Sequence, residues 1–146
     1  MRSLLLLSLV IGLAAATAQA DPIKDFYKGK TVTIIVGNEP GGAYDLYARL
    51  IAKHMPKHIA GKPNVIVQNM PGAATLTAAN NVFNVAAQDG TFIAATNGVL
   101  PFQPLLEGMS AKFETLKANW LPVPTSETYT VSVWHTVPLQ TFLDAR

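Results

Sequence analysis

Two β-branched apolar runs, TVTIIV at Thr31–Val36 and NVIVQN at Asn64–Asn69, constrain this chain more than any other feature. TVTIIV shows little polar alternation, the pattern of a strand covered on both faces of a parallel sheet. Between the runs, Tyr47, Leu50, Ile51 and His54 share one side of a helix that starts near Ala43 and ends before Pro56. Two strands joined through a helix make a crossover unit, and such units are parallel and right-handed. The pattern then repeats. PGAATLTAANNVFNVAA reads as a turn and a helix over residues 73–85, Asp89-Gly90 as a turn, and TFIAAT, residues 91–96, as a third strand. NGVLPFQPLLEG is a loop and a short helix broken by Pro101 and Pro104. After a proline-rich connection beyond Trp120, YTVSVWH at residues 129–135 alternates like a strand, and a last helix, PLQTFLDAR, has Pro138 in its first turn. The predicted class is α/β, a mostly parallel sheet with flanking helices.

The first twenty residues, MRSLLLLSLVIGLAAATAQA, stand apart from that pattern. Arg2, an apolar run and the ending Ala18-Gln19-Ala20 make a secretory signal with cleavage expected before Asp21. The run is shorter than the roughly 20 residues of a spanning helix. Its removal takes Arg2 from the 11 basic residues and nothing from the 9 acidic ones, so the formal charge falls from +2 to +1. That balance offers no electrostatic case for nucleic acid. The chain has no cysteine, which excludes disulfides, a thiolate nucleophile and cysteine metal sites. Export without disulfides fits a periplasmic protein held together by its core.

In an open parallel sheet, ligands bind beyond the carboxyl ends of the strands. Three loops fall there: residues 37–43, 69–74 and 97–101. The first two each carry Pro-Gly before a helix, at Pro40-Gly41 and Pro71-Gly72. Glycine lets the main chain approach a ligand, and a helix start leaves N–H groups unpaired, so two such starts facing one point would hold a carboxylate. Pro-Gly also simply makes a turn, and spacing alone leaves both readings standing. Neither G-x-G-x-x-G nor a P-loop is present, nor a G-x-S-x-G elbow or H-E-x-x-H. Asp45 and Arg49 have the spacing of a helical surface pair. His54 and His58 read as a surface pair, since Pro56 between them ends the helix. No cofactor is implied.

The order of these features resembles the amino-terminal part of the Bug family, the extracytoplasmic solute receptors of tripartite tricarboxylate transporters. The resemblance lies in a strand running into PGGAYD and a helix with Ala-Arg-Leu, then a strand ending NMPGA, then DGT and a strand ending in Asn97-Gly98. It covers most of the chain from about Phe26 onward. It implies a type II periplasmic binding protein fold, in which two α/β lobes close on a small carboxylate solute to be passed to membrane permease subunits. It further implies that loops after the first two strands act as pincers, gripping the carboxylate through main-chain amides and bridging waters. Carried over by position, the first pincer is Pro40, Gly41, Gly42 and Asp45, and the second is Pro71, Gly72, Ala73 and Ala74. Asn97 and Gly98 face the same cleft. On this reading Asp45 faces the loops and helps to hold water.

The expected organisation is a signal at residues 1–20, a first α/β lobe at 21–125, and the start of a crossover at 126–146 to a second lobe that is largely missing. Relatives tend to have a glycine or an aromatic where this chain has Asn38 and Glu39. Glu39 places an acid beside the anion site, where it repels an anionic ligand, selects one carrying an amine, or points into water. Two other readings compete with the receptor: a periplasmic α/β enzyme for an anionic substrate, with Asp45 or His135 as base, and a gene fragment without function of its own.

Overall fold

The computed structural model describes residues 21–106 and 110–121. The expected leader, the strand at residues 129–135 with His135, and the helix with Pro138 in its first turn lie outside them. The chain divides into a first compact unit reaching Leu116 and a second beginning at Lys117. No helix among the described residues is long and apolar enough to cross a membrane.

The first element was not anticipated. Helix α1, Pro22–Tyr27, is nucleated by Asp21, whose carboxylate accepts the N–H groups of Ile23 and Lys24 at 3.1 Å, with proline in the first turn. Strand β1, Thr31–Val36, is buried from Val32 to Val36, as a β-branched run with little polar alternation predicts. Helix α2, Ala43–His54, and a 3₁₀ turn, Met55–His58, lead to β2, Asn64–Asn69. Helix α3, Leu76–Asn84, leads to β3, Phe92–Ala95, and a 3₁₀ turn, Leu100–Phe102, runs into the short α4, Gln103–Leu106.

The sheet order is β2-β1-β3, and both pairings are parallel. Val36 ends level with Asn69 on one side and Ala95 on the other, so the three following loops leave from one edge. The two crossovers run in opposite directions along the sheet. Since each is right-handed, α2 and α3 fall on opposite faces, and the chain path reverses beside β1.

On one face Ile34, Val36 and Ala48 form a core with Tyr44, Ile51, Ala52 and Met55. The helix side that faces the sheet is therefore centred on Ala48, and the expected side is corrected. Tyr47 and Leu50 are 46% and 55% exposed, and His54 is also exposed. Alanine lets the helix axis come close to the strands, which leaves the larger apolar residues outside. The second core joins Leu76, Ala79, Leu100 and Phe113, with Phe83 stacked on Phe113 at 4.7 Å. Asn80 holds that returning segment to α3 by donating to the Ser110 carbonyl and accepting from the Lys112 N–H.

The amino-terminal helix is fixed at the opposite end of the sheet. Tyr27 donates its hydroxyl to the Gly90 carbonyl at 3.2 Å, and Gly61 lies directly against α1. A Cβ on Gly61 would stand 2.5 Å from the Lys24 carbonyl oxygen and 2.8 Å from the Lys28 nitrogen, and the residue has φ +88. Both clashes are with backbone, so no rotamer relieves them. Gly61→Ala is expected to lower stability by about 2–4 kcal/mol through overpacking and left-handed strain together, with α1 amides losing protection first. Urea unfolding with hydrogen exchange measures both.

Candidate functional site

The two helix starts at the carboxyl edge differ in kind from α1. Gly42 is the N-cap of α2 and has no side chain to offer, so first-turn N–H groups lack the cap that Asp21 gives α1. Thr75 is the N-cap of α3, and its side chain makes no capping bond either. The first two loops meet closely: a Cβ on Gly37 would stand 2.5 Å from the Cβ of Thr75. Sheet topology and close packing thus bring two uncapped starts to one edge.

The second start departs from expectation. A helix from Ala73 was predicted, but α3 begins at Leu76. Gly72, Ala73, Ala74 and Thr75 have φ values of 135, 45, 50 and 78, a run of positive φ with three non-glycine residues in it. Each such L-residue costs roughly 1–2 kcal/mol, so the turn persists only because its surroundings hold it. The Ala74 carbonyl is gripped twice, by Asn97 Nδ2 at 3.1 Å and by Gln103 Nε2 at 3.2 Å. Below it the Thr75 side chain is buried.

The first loop is held by a polar network. Asp45, on the first turn of α2, is only 1% exposed. Its Oδ2 accepts the Gly41 N–H at 2.8 Å and Arg49 Nε at 2.9 Å, and its Oδ1 accepts Asn69 Nδ2 at 2.9 Å. Asn69 Nδ2 also donates to the Asn38 carbonyl at 3.0 Å, while Arg49 Nη2 donates to Asn69 Oδ1 at 3.1 Å. The expected surface pair is thus an ion pair with a buried acid. Hydrogen bonds from Arg49, Gly41 and Asn69, in that order, hold the Asp45 carboxyl well below the usual carboxylate range, and Asp45 raises Arg49 in turn.

Of the residues expected at the site, Pro40, Gly41, Gly42, Pro71, Gly72, Ala73, Ala74 and Gly98 are exposed, and Asn97 is partly buried. Asp45 is drawn inward to the loop base. Glu39 is exposed beside Pro40. Within the first loop, Gly41 has φ +87, whereas Gly42 has φ −76 and a position any residue adopts. Glycine is therefore required at Gly41 for conformation.

Sequence reasoning missed Asn38, Asn69, Thr75 and Gln103. Gln103 carried a signal, being a polar residue inside an apolar run, and it is 4% exposed. Asn38 Oδ1, Thr75 Oγ1, Asn97 Oδ1 and Gln103 Oε1 are buried without a hydrogen-bond partner among the described residues. Asn38 and Asn97 belong to the first and third loops, Thr75 to the cap that follows the second, and Gln103 to the helix that follows the third. Buried polar atoms are nearly always paired in native proteins, by protein or by ordered water, so these four oxygens are acceptors open to water or to a ligand's donors.

No family model matches the chain. Two curated proteins align with it. The UPF0065 protein in the gbd 5' region of Cupriavidus necator is 32% identical over 115 residues, 77% of this chain and 30% of its own length. Protein BugT of Bordetella pertussis is 33% identical over 103 residues, 69% of this chain and 30% of its own length. The chain thus covers less than a third of either relative. On the strength of these two relatives the chain belongs to the Bug family.

Proposed function

We propose that residues 21–116 form the first lobe of an exported, periplasmic receptor that captures a small carboxylated solute for a tripartite tricarboxylate transporter. The observation that carries this reading is the pair of helix starts without side-chain caps, at Gly42 and Thr75, reached from loops that leave the carboxyl edge of one parallel sheet and meet where Gly37 packs on Thr75. A helix start offers N–H groups and a favourable dipole, which suits a carboxylate better than any neutral group. At the second start the Leu76 and Thr77 N–H groups bond to the Ala73 and Gly72 carbonyls, so the N–H groups after Gly42 carry the larger share. On this reading Pro40, Gly41 and Gly42 form one arm, Pro71, Gly72, Ala73 and Ala74 the other, and Asn97 and Gly98 flank them. Asp45 supports the first arm from beneath. The opposing wall of the cleft comes from the further length that the relatives have. Delivery to permease subunits follows from the family and is part of the proposal.

The enzyme reading is less well supported. A general base needs a pKa near the working pH, and Asp45 is held ionised by three donors.

Calorimetry with acetate, succinate and citrate, on a receptor of full family length carrying this lobe, tests the proposal. Saturable binding without turnover supports it. Gly41→Ala is expected to weaken binding by about tenfold or more, since the backbone must leave its left-handed conformation. Gly42→Ala, whose Cβ meets only the Glu39 carbonyl at 3.6 Å, is expected to change it by less than about threefold. Equal losses in the two variants would sink the main-chain cradle, and turnover would sink the receptor.

A further inference from the structure

We propose that Asn69 is a positioning residue that ties the loop after β1 to the loop after β2, so that the two arms are set and released as one unit. The residue stands at the last register pair of β1 and β2, opposite Val36, and Met70 after it donates its N–H to the Val36 carbonyl at 2.8 Å. It is thus fixed to the sheet at the root of the second loop. Its side chain reaches the first loop at two points. It holds the Asn38 carbonyl directly and, through Asp45, the Gly41 N–H, which lie on either side of the exposed Glu39 and Pro40.

The chemistry fits asparagine alone. Both hydrogens of Nδ2 have an acceptor, on Asp45 and on Asn38, and Oδ1 has a donor in Arg49. A flipped amide would set its oxygen against a carboxylate and a carbonyl, so the partners determine its orientation. Leucine would fill the space and satisfy none of them. Aspartate would put a second carboxylate against Asp45, with Arg49 the one cation among the described residues bonded to both and Glu39 another acid on the loop. The inference rests on the proposed site for its meaning, but its test needs no solute.

Amide hydrogen exchange on the full chain, without ligand, reads the coupling. The probes are Gly41 N–H, bonded to Asp45 in the first loop, and Thr75 N–H, bonded to the Gly72 carbonyl in the second. Thr33 N–H, bonded to the Thr91 carbonyl, reports on the sheet. Asn69→Ala is expected to speed exchange at both loop probes by about tenfold while Thr33 is unchanged. Gln103→Ala, which removes a hydrogen bond to the Ala74 carbonyl and none to the first loop, is expected to affect Thr75 and leave Gly41 unchanged. Asn69→Asp supplies a readout that loss of packing would not move. It should release both loops near neutral pH and restore them in part in acid, where one proton shared by the carboxyl pair replaces the donor to Asp45 and leaves the Asn38 carbonyl without one. Acceleration confined to one loop, a parallel rise at Thr33, or an Asn69→Asp variant insensitive to pH would each overturn the proposal.

Discussion

Replacing Gly37 with alanine is expected to destabilise the fold by about 1–3 kcal/mol and to pry the first two loops apart. The new Cβ would meet Thr75 Cβ at 2.5 Å and its Cα at 3.0 Å, and neither side of that contact is free to retreat. Gly37 is held to the sheet by its own N–H, which donates to the Ala95 carbonyl at 3.0 Å. Thr75 is buried at the N-cap position of α3, and its N–H is tied to Gly72. Urea unfolding should show a lower midpoint with an unchanged slope, since the same surface is exposed on unfolding. A Thr75→Gly change removes the clashing side chain and relaxes a left-handed residue, so it should recover part of the loss when combined with Gly37→Ala. If the double variant is as unstable as the sum of the singles, the loops do not meet as described.

How much of this was readable beforehand depended on how local the cause was. The β-branched run at Thr31–Val36 specified a central strand because burial on both faces admits little else. Pro56 and the paired glycines bounded α2 correctly, since backbone restrictions act within a residue or two. Asp21-Pro22 was an equally local helix signal and was overlooked. The face of α2 was misjudged for a different reason. Periodicity identifies apolar residues on a helix, but the sheet selected Ala48 over Tyr47 and Leu50 by how closely the backbone had to approach.

The left-handed turn at Ala73–Thr75 was hidden altogether, because alanine is the best helix former and nothing beside it argues otherwise. Its cause lies elsewhere in the chain, in Gly37 below it and in Asn97 and Gln103, which pull on Ala74. The polar network was hidden likewise. An asparagine at the end of a strand reads as a breaker until the fold shows it reaching across to Asp45 and Asn38. Main-chain parts of the candidate site were therefore legible from glycine and proline, whereas the side chains that hold them became visible only once distant loops were brought together.

Acid should reveal how much that network holds. Asp45 has a folded-state pKa below its unfolded value of about 3.9, so ionisation favours the folded state. Its contribution is fully present above about pH 4 and is lost as the pH falls from there toward the folded value. Asp89 lies in the same direction, lowered chiefly by the Thr91 hydroxyl and N–H, so acid sensitivity of the wild type alone would not isolate Asp45. Asp45→Asn separates them. Its amide cannot balance the Arg49 charge or accept all three donors, so the variant should be less stable than wild type at neutral pH. The difference in unfolding free energy, followed from about pH 7 to about pH 2, should stay level down to about pH 4 and then shrink as wild-type Asp45 takes up its proton. Asp89, present in both proteins, cancels from the comparison. A difference that stays level throughout would mean that Asp45 is not held ionised by Arg49, Gly41 and Asn69, and the support assigned to the first arm would fall with it.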